Sequence, residues 1–235
     1  MQALGSSTSR VKEIWILKGK SSSRINDVLR LASLRKIPVY SKSPEVLAMF
    51  MEDVAHQGVV AVAERFDYID IEELVEITTK NPGEALVIAA DHITDEGNLG
   101  AIIRTAEFFG ANGMVIPKDR SAEVTPRVIK RSSGAGITFP TARVVNMGNS
   151  LKRLRKNGFW IIGTSDSARD SIWNFDWKRD VAIVLGNEQK GLGPGIRKYC
   201  HEILKIPGYG NIQSLNVAVA CGVILSEICR QRKSK

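Results

Sequence analysis

Cysteine and histidine are scarce in this 235-residue chain, and long apolar runs are missing. The three cysteines, Cys200, Cys221 and Cys229, fit reduced core or helix residues better than a disulfide framework or a metal site. His56, His92 and His201 show no ligand spacing, so no metal is expected. The longest nearly apolar run, Leu215 to Leu225, contains Asn216 and is too short to span a bilayer. Met1 to Lys12 lacks the apolar block of a secretory signal and any transit-peptide pattern, from which a cytoplasmic protein is expected. No internal repeat, low-complexity segment or GxGxxG occurs, and the glycine-rich turn at Gly186 lacks the Lys-Ser/Thr of a phosphate-binding loop. ATP hydrolysis and nicotinamide chemistry therefore lack their usual sequence support.

What is present is ordinary globular composition, 43% hydrophobic and 25% charged, at a length that suits one large or two small domains. The net charge of +8 is unevenly spread. The first 80 residues balance to zero, whereas Lys118 to Lys156 carries ten Lys and Arg against only Asp119 and Glu123. Such a local basic field attracts polyanions. Within it Arg127, Lys130 and Arg131 share one helical face by their i, i+3, i+4 spacing, and with Lys118 and Arg120 they are the candidates for binding phosphate. Solvated surface is the plain alternative.

Apolar, β-rich runs alternate with helical patterns, which reads as α/β. The strands are expected at Ile14 to Leu17, Val59 to Ala63, Leu86 to Ala90, Met114 to Ile116, Trp160 to Thr164, Val181 to Leu185 and Ile203 to Ile206. Helices are expected over Arg24 to Arg35, Pro44 to Val54, Asp70 to Lys80, Leu99 to Phe109, Pro126 to Ser133, Ser150 to Asn157 and Ser214 to Arg232. Thr125 before Pro126 matches an N-cap, and Gly110 stands where a helix ending at Phe109 needs a left-handed residue. Asn81-Pro82-Gly83 is the strongest turn between two α/β blocks, and the boundary is placed there.

Three clusters in the second block lie at the ends of expected strands, where an open α/β sheet presents its ligands. The first runs from Asp95 to Thr105; the apolar stripe of Leu99, Ile102, Ile103, Ala106 and Phe109 turns Arg104 to the open side, and Asn98 sits near the helix start. A plain N-cap and a surface arginine would also explain this pair. The second, Val184 to Gly195, is a strand running into a glycine-rich turn, which as a bare loop would need no ligand. The third, Ile206 to Ala220, brings Ser214 and Asn216 to the start of a small, apolar helix with free N–H donors. A capping serine would explain Ser214 but not Asn216 two residues into that helix, which needs a partner for its amide.

In this order the clusters resemble the signature motifs of the SpoU/TrmH-type RNA ribose methyltransferases of the SPOUT superfamily. The residues are Asn98-x-Gly100-x3-Arg104-Thr105, Gly186-Asn187-Glu188-x2-Gly191-Leu192 and Ile206-Pro207 through Ser214-Leu215-Asn216-Val217-Ala218, with Ser132-Ser133-Gly134-Ala135 as a further element. Residues 11 to 63, ending in His56-Gln57-Gly58-Val59-Val60-Ala61, are similar to the ribosomal-protein-L30-like RNA-binding domain of the large-subunit rRNA branch. The resemblance implies an L30-like domain over 1–66, a connecting helix and turn over 67–83, and an α/β catalytic domain with a deep trefoil knot over 84–235. It also implies a homodimer whose active site draws on both subunits. Two features depart from the family: Gln189 stands where a second glycine commonly follows Glu188, and Met1-Gln2-Ala3-Leu4 looks like the interior of the first helix, without the glycine-led segment before it.

The implied reaction is methyl transfer from S-adenosylmethionine to a ribose 2′-hydroxyl, with 23S rRNA guanosine favoured by the first domain and no membrane partner. The resemblance assigns Arg104 to the reacting ribose, as the base or as the holder of the adjacent phosphate. A guanidinium stays protonated, which favours the second role. Asn98, Glu188, Ser214 and Asn216 would form the polar shell, Glu188 being the alternative base. The cofactor would lie against Thr164, Ser165, Leu185, Gly186, Asn187, Ile206, Pro207, Ser214, Leu215 and Asn216. A tRNA methyltransferase, a non-catalytic RNA-binding protein of this fold and an unrelated α/β nucleotide-binding enzyme remain the alternatives.

Overall fold

The computed structural model describes residues 11–50, 58–63, 66–79 and 83–233. The chain divides into two compact units, Met1–Phe66 with Ser133–Thr138, and Asp67–Ser132 with Phe139–Lys235. His56, the end of the Pro44 to Val54 helix, Lys80 and the Asn81-Pro82 half of the turn lie outside the described residues, as does the start at Met1.

In the first unit β1 (Val11–Leu17) is central, parallel to β2 (Val39–Lys42) and antiparallel to β3 (Val59–Ala63). The strand period of two sends Ile14 and Ile16 to one face, where they pack with Ile25, Val28 and Ala32 of α1 (Ser23–Leu34). Ser22 caps α1 by accepting from the Ile25 N–H at 3.2 Å. On the other face Trp15 pairs with Tyr40, and the Lys42 ammonium lies over both rings at 5.1 and 5.5 Å. The short α2 (Pro44–Phe50) precedes β3.

The second unit is built on seven parallel strands in the order β6-β5-β4-β9-β7-β10-β8. They are β4 (Leu86–Ala90), β5 (Gly113–Pro117), β6 (Thr141–Val144), β7 (Trp160–Thr164), β8 (Asp170–Ser171), β9 (Val181–Leu185) and β10 (Glu202–Lys205). Central strands of a parallel sheet are covered on both faces, which is why β4, β5 and β9 are buried at every residue and read as continuous apolar runs. On one face Val87, Ala89, Val115, Ala182 and Val184 meet Leu74 and Val75 of α3 (Ile71–Thr78) and Met147, Leu151 and Leu154 of α6 (Met147–Lys156). The alternate residues face α4 (Glu96–Phe108), which packs on α5 (Pro126–Arg131) and on α8 (Val217–Lys233). A short α7 (Pro194–Arg197) follows β9.

Thr125 does cap α5, accepting from the Val128 N–H at 3.3 Å, and Gly110 is left-handed at φ +74°. Three strands escaped the sequence reading, β2, β6 and the two-residue β8, together with α7. Three helix starts are corrected. α4 begins three residues earlier than expected because Asp95 is its cap, accepting from the Asn98 N–H at 2.7 Å; α6 begins three residues earlier because Asn146 is its cap, accepting from the Asn149 N–H at 3.0 Å; α8 begins three residues later, at Val217. The cysteines are free thiols, and burial pushes Cys200 up to about 11 and Cys221 to about 12. Among the described residues no helix is long and apolar enough to cross a membrane, and no cluster of His, Cys, Asp and Glu is placed to hold a metal ion.

Candidate active site

Three loops leave the same edge of the sheet, after β7, β9 and β10, and enclose a cleft of about 1180 Å³. The size exceeds the roughly 300–1,000 Å³ usual for one small ligand. All ten residues expected at the cofactor line it: Thr164, Ser165, Leu185, Gly186, Asn187, Ile206, Pro207, Ser214, Leu215 and Asn216. Asn98 and Glu188 line it as well. Arg104 does not; it is exposed on α4 and forms no hydrogen bond or ion pair with any described residue.

The loop after β9 is shaped by backbone proximity. A Cβ on Gly186 would lie 2.4 Å from the Gly191 carbonyl carbon and 2.5 Å from the Leu192 nitrogen, so only glycine fits where the loop folds back. The left-handed residue of this loop is Gly191, at φ +62°, while Gln189 keeps an ordinary negative φ. The departure at Gln189 therefore costs no backbone strain. Asn187 closes the turn, its Oδ1 accepting from the Gln189 and Lys190 N–H groups at 3.0 and 3.1 Å. Its Nδ2 donates to the His92 carbonyl at 2.8 Å. That bond anchors the loop to the end of β4, where His92 is itself held left-handed at φ +58° and its Nδ1 lies 2.8 Å from the buried Asp91 carboxylate.

A directed chain of amides converges on Glu188. The Asn216 Nδ2 donates to the Asn98 Oδ1 at 2.9 Å, and the Asn98 Nδ2 donates to the Glu188 Oε1 at 3.0 Å. Asn187 reaches the Glu188 Oε2 at 3.4 Å. Each member also has a fixed end: Asn216 is the cap of α8, accepting from the Ala218 N–H at 2.9 Å, and Asn98 rides in the first turn of α4. The partner required for the Asn216 amide is thus Asn98, although Asn216 caps the helix rather than standing inside it. Asn98 is not a cap, since Asp95 takes that role. Ser214 lies exposed on the cleft wall ahead of α8.

Sequence reasoning missed Asp166, Ser167, Lys190, Arg197 and Lys205, which also line the cleft. Arg197 joins two of its walls, donating from Nε to the Leu192 carbonyl at 3.0 Å and from Nη2 to the Ser165 Oγ at 3.2 Å. Nothing in the spacing of Gly193-Pro194-Gly195-Ile196-Arg197 announces that reach across the sheet. The basic stretch is divided by the fold: Lys152, Arg153, Arg155 and Lys156 belong to α6 on one face, Arg127, Lys130 and Arg131 to α5 on the other. Arg127, Arg143 and Arg153 stand against Glu96, Glu123 and Glu72, and Lys118, Arg120, Arg127, Lys130 and Arg131 are all exposed.

Residues 85–226 match the SpoU rRNA Methylase family, and residues 1–69 match the RNA 2′-O ribose methyltransferase substrate binding family. The 23S rRNA (guanosine-2′-O-)-methyltransferase RlmB of Pseudomonas putida is 38% identical, over 96% of this chain and 91% of its own length. The protein of the same name from Shewanella oneidensis is 36% identical, over 97% and 92%. Among solved structures, the SpoU methyltransferase AviRb from Streptomyces viridochromogenes superposes with a TM-score of 0.79 at 26% identity, covering 95% of this chain and 83% of that one. Its complex with AdoMet gives 0.80 at 24%, covering 100% and 97%. With residues 85–226 and 1–69 both matched and a relative 38% identical over 96% of the sequence, this chain belongs to the SpoU rRNA methylase family.

Proposed function

We propose that this protein transfers a methyl group from S-adenosylmethionine to the 2′-oxygen of a guanosine ribose in 23S rRNA. The observation that carries the reading is the chain of amides from Asn216 through Asn98 to Glu188, set at a cleft of about 1180 Å³ that has room for a cofactor and a nucleoside. Residues 1–66 would bind the RNA and 84–235 carry the chemistry, with 67–83 leading between them through α3, which packs on the sheet of the second unit, and with Lys118, Arg120, Arg127, Lys130 and Arg131 facing the phosphates.

The cleft suits the cofactor. Leu185, Ile206 and Leu215 give apolar walls for adenosine, and the Glu188 carboxylate complements a positive sulfur. Ser165, Gly186, Pro207 and Ser214 would complete its binding. Thr164 donates its hydroxyl to the Val184 carbonyl at 3.1 Å, and the Asn187 side chain is committed within its loop, so both would bind through their backbone groups. When bound, S-adenosylmethionine supplies an electrophilic methyl group on a positively charged sulfur. The protein's part is to align the ribose, exclude water and favour loss of the hydroxyl proton. The Arg104 guanidinium grips the phosphate beside the ribose and stabilises negative charge developing on the 2′-oxygen. Glu188, oriented through both oxygens, is the carboxylate that can accept the proton.

Arg104 lies outside the cleft of its own chain, and Leu215 in the cleft wall and Val219 on α8 are 50% and 53% exposed. Both facts support a homodimer in which the second copy presents Arg104. The three loops are read as the winding of the trefoil knot, with β9 inserted between β4 and β7 in its support, and the protein as cytoplasmic. Two inactive variants test the shared site. Mixing Arg104→Ala with Glu188→Gln should restore roughly a quarter of wild-type activity, because half of a random dimer pool carries one intact composite site. No recovery in a pool shown to exchange subunits would refute it. Calorimetry should find cofactor affinity within a few-fold of wild type in Arg104→Ala.

A further inference from the structure

Gly100 marks a point where α4 and α5 come together. A Cβ there would lie 2.5 Å from the Arg131 Cβ and 2.9 Å from the Val128 carbonyl oxygen, so the approach depends on the missing side chain. One turn earlier, Glu96 of α4 meets Arg127 of α5 at 3.8 Å. The two helices therefore run side by side in the same direction, with 96 level with 127 and 100 level with 131. A helical side chain covers the turn N-terminal to its own Cα. Arg104, four residues beyond Gly100 and on the same side of α4, thus points back toward the contact that Gly100 makes with Arg131.

Both arginines are exposed, and neither forms a hydrogen bond or ion pair with a described residue. The acids at this end of the contact are already engaged. Asp95 caps α4 through the Asn98 N–H, and Glu96 accepts from the Thr125 hydroxyl at 2.7 Å and faces Arg127. With no carboxylate paired to either, an anion that reaches both guanidinium groups gains charge-assisted bonds from each. Arg127 has Glu96 beside it at 3.8 Å, so Arg131 is the guanidinium of α5 that no described carboxylate pairs with.

We propose that Arg131 and Arg104 of one protomer grip the same RNA phosphate, the one flanking the reacting ribose. Arg131 is then a substrate-binding residue that sets where Arg104 stands. This rests on the reading of Arg104 as a phosphate holder. The test uses the full-length protein and unmodified 23S rRNA transcribed in vitro, with RNA binding measured over a series of salt concentrations for Arg131→Ala, Arg131→Lys, Arg104→Ala and the double variant. Arg131→Ala should weaken RNA binding roughly tenfold or more and lower the log–log salt slope by about 0.7–0.9. Cofactor affinity and melting temperature should stay at wild-type values, and Arg131→Lys should recover part of the loss. Because the phosphate is shared, the double variant should bind RNA little worse than either single variant. Wild-type RNA affinity and salt slope in Arg131→Ala, or fully additive losses in the double variant, would overturn the inference while leaving an inactive Arg104→Ala as support for the reading beneath it. Methyl transfer surviving in Arg104→Ala would overturn both.

Discussion

Asn216 does two jobs with one amide, and substitution can separate them. Its Oδ1 caps α8 through the Ala218 and Val219 N–H groups at 2.9 and 3.4 Å, while its Nδ2 donates to Asn98 at 2.9 Å. In Asn216→Ala both are lost. Removing an N-cap costs about 1 kcal/mol, within a range of roughly 0.5–2, which in a protein of this size lowers Tm by about 2–4 °C per kcal/mol. Asn216→Asp keeps the cap and places a negative charge at a helix N-terminus, where it is favourable by about 0.3–1 kcal/mol. It cannot donate to Asn98. To satisfy the new carboxylate the Asn98 amide must turn, which points its oxygen at Glu188 and breaks the direction of the whole chain. Thermal unfolding and single-turnover methyl transfer should therefore part company: Asp at least as stable as wild type but slowed by about 10- to 100-fold, for one misdirected charge-assisted bond. Full activity in Asn216→Asp would refute the role of the directed chain. A stability loss in Asp equal to that in Ala would refute the cap.

Three further outcomes follow from the geometry. Gly186→Ala should reduce cofactor affinity, measured by calorimetry, because its Cβ would meet the backbone of Gly191 and Leu192 and force the loop open. Arg232 bridges the carbonyl oxygens of Glu84, Ala85, Trp177 and Arg179, so Arg232→Ala should cost about 2–4 kcal/mol in urea unfolding by leaving acceptors unpaired, without changing KM for RNA. Burial, with Arg155 nearby, holds the His201 pKa below its ordinary value, and its Nδ1 accepts the Ile161 N–H at 2.8 Å. The folded state thus resists protonation that the unfolded chain accepts, so the stability this residue gives is present above about pH 6.5 and is lost as pH falls below it. The urea midpoint of wild type should drop between pH 7 and 5.5 more than that of His201→Gln.

Legibility in the sequence followed the strength of local periodicity. Val59–Ala63, Leu86–Ala90, Trp160–Thr164 and Val181–Leu185 stand residue for residue where β-branched apolar runs placed them. β2, β6 and β8 were invisible because Tyr40, Ser41, Arg143 and Asp170 break the apolar pattern; these strands take their conformation from hydrogen bonding to neighbours. Helix starts erred where several polar residues stood near the start and the cap was not singled out, as at Asp95 beside Asn98 and at Asn146 before Asn149 and Ser150. The motif residues could be ordered from sequence, but their meeting could not: Asn98 and Asn216 are 118 positions apart and are joined only when α4 and α8 pack on one face. Arg104 was legible as the outward residue of α4, and the fold leaves it outside its own cleft. The Gln189 side chain itself has no explanation in the loop, beyond the ordinary backbone that tolerates it there.

The central claim is ribose methylation, and position-resolved product analysis tests it most directly. Wild-type protein, tritiated S-adenosylmethionine and unmodified 23S rRNA should yield label in one guanosine, alkali-resistant at its 3′ linkage as a 2′-O-methyl group requires. Arg104→Ala should yield none while still binding cofactor. Label on a base, or no transfer to any RNA by protein that binds the cofactor, would contradict the account.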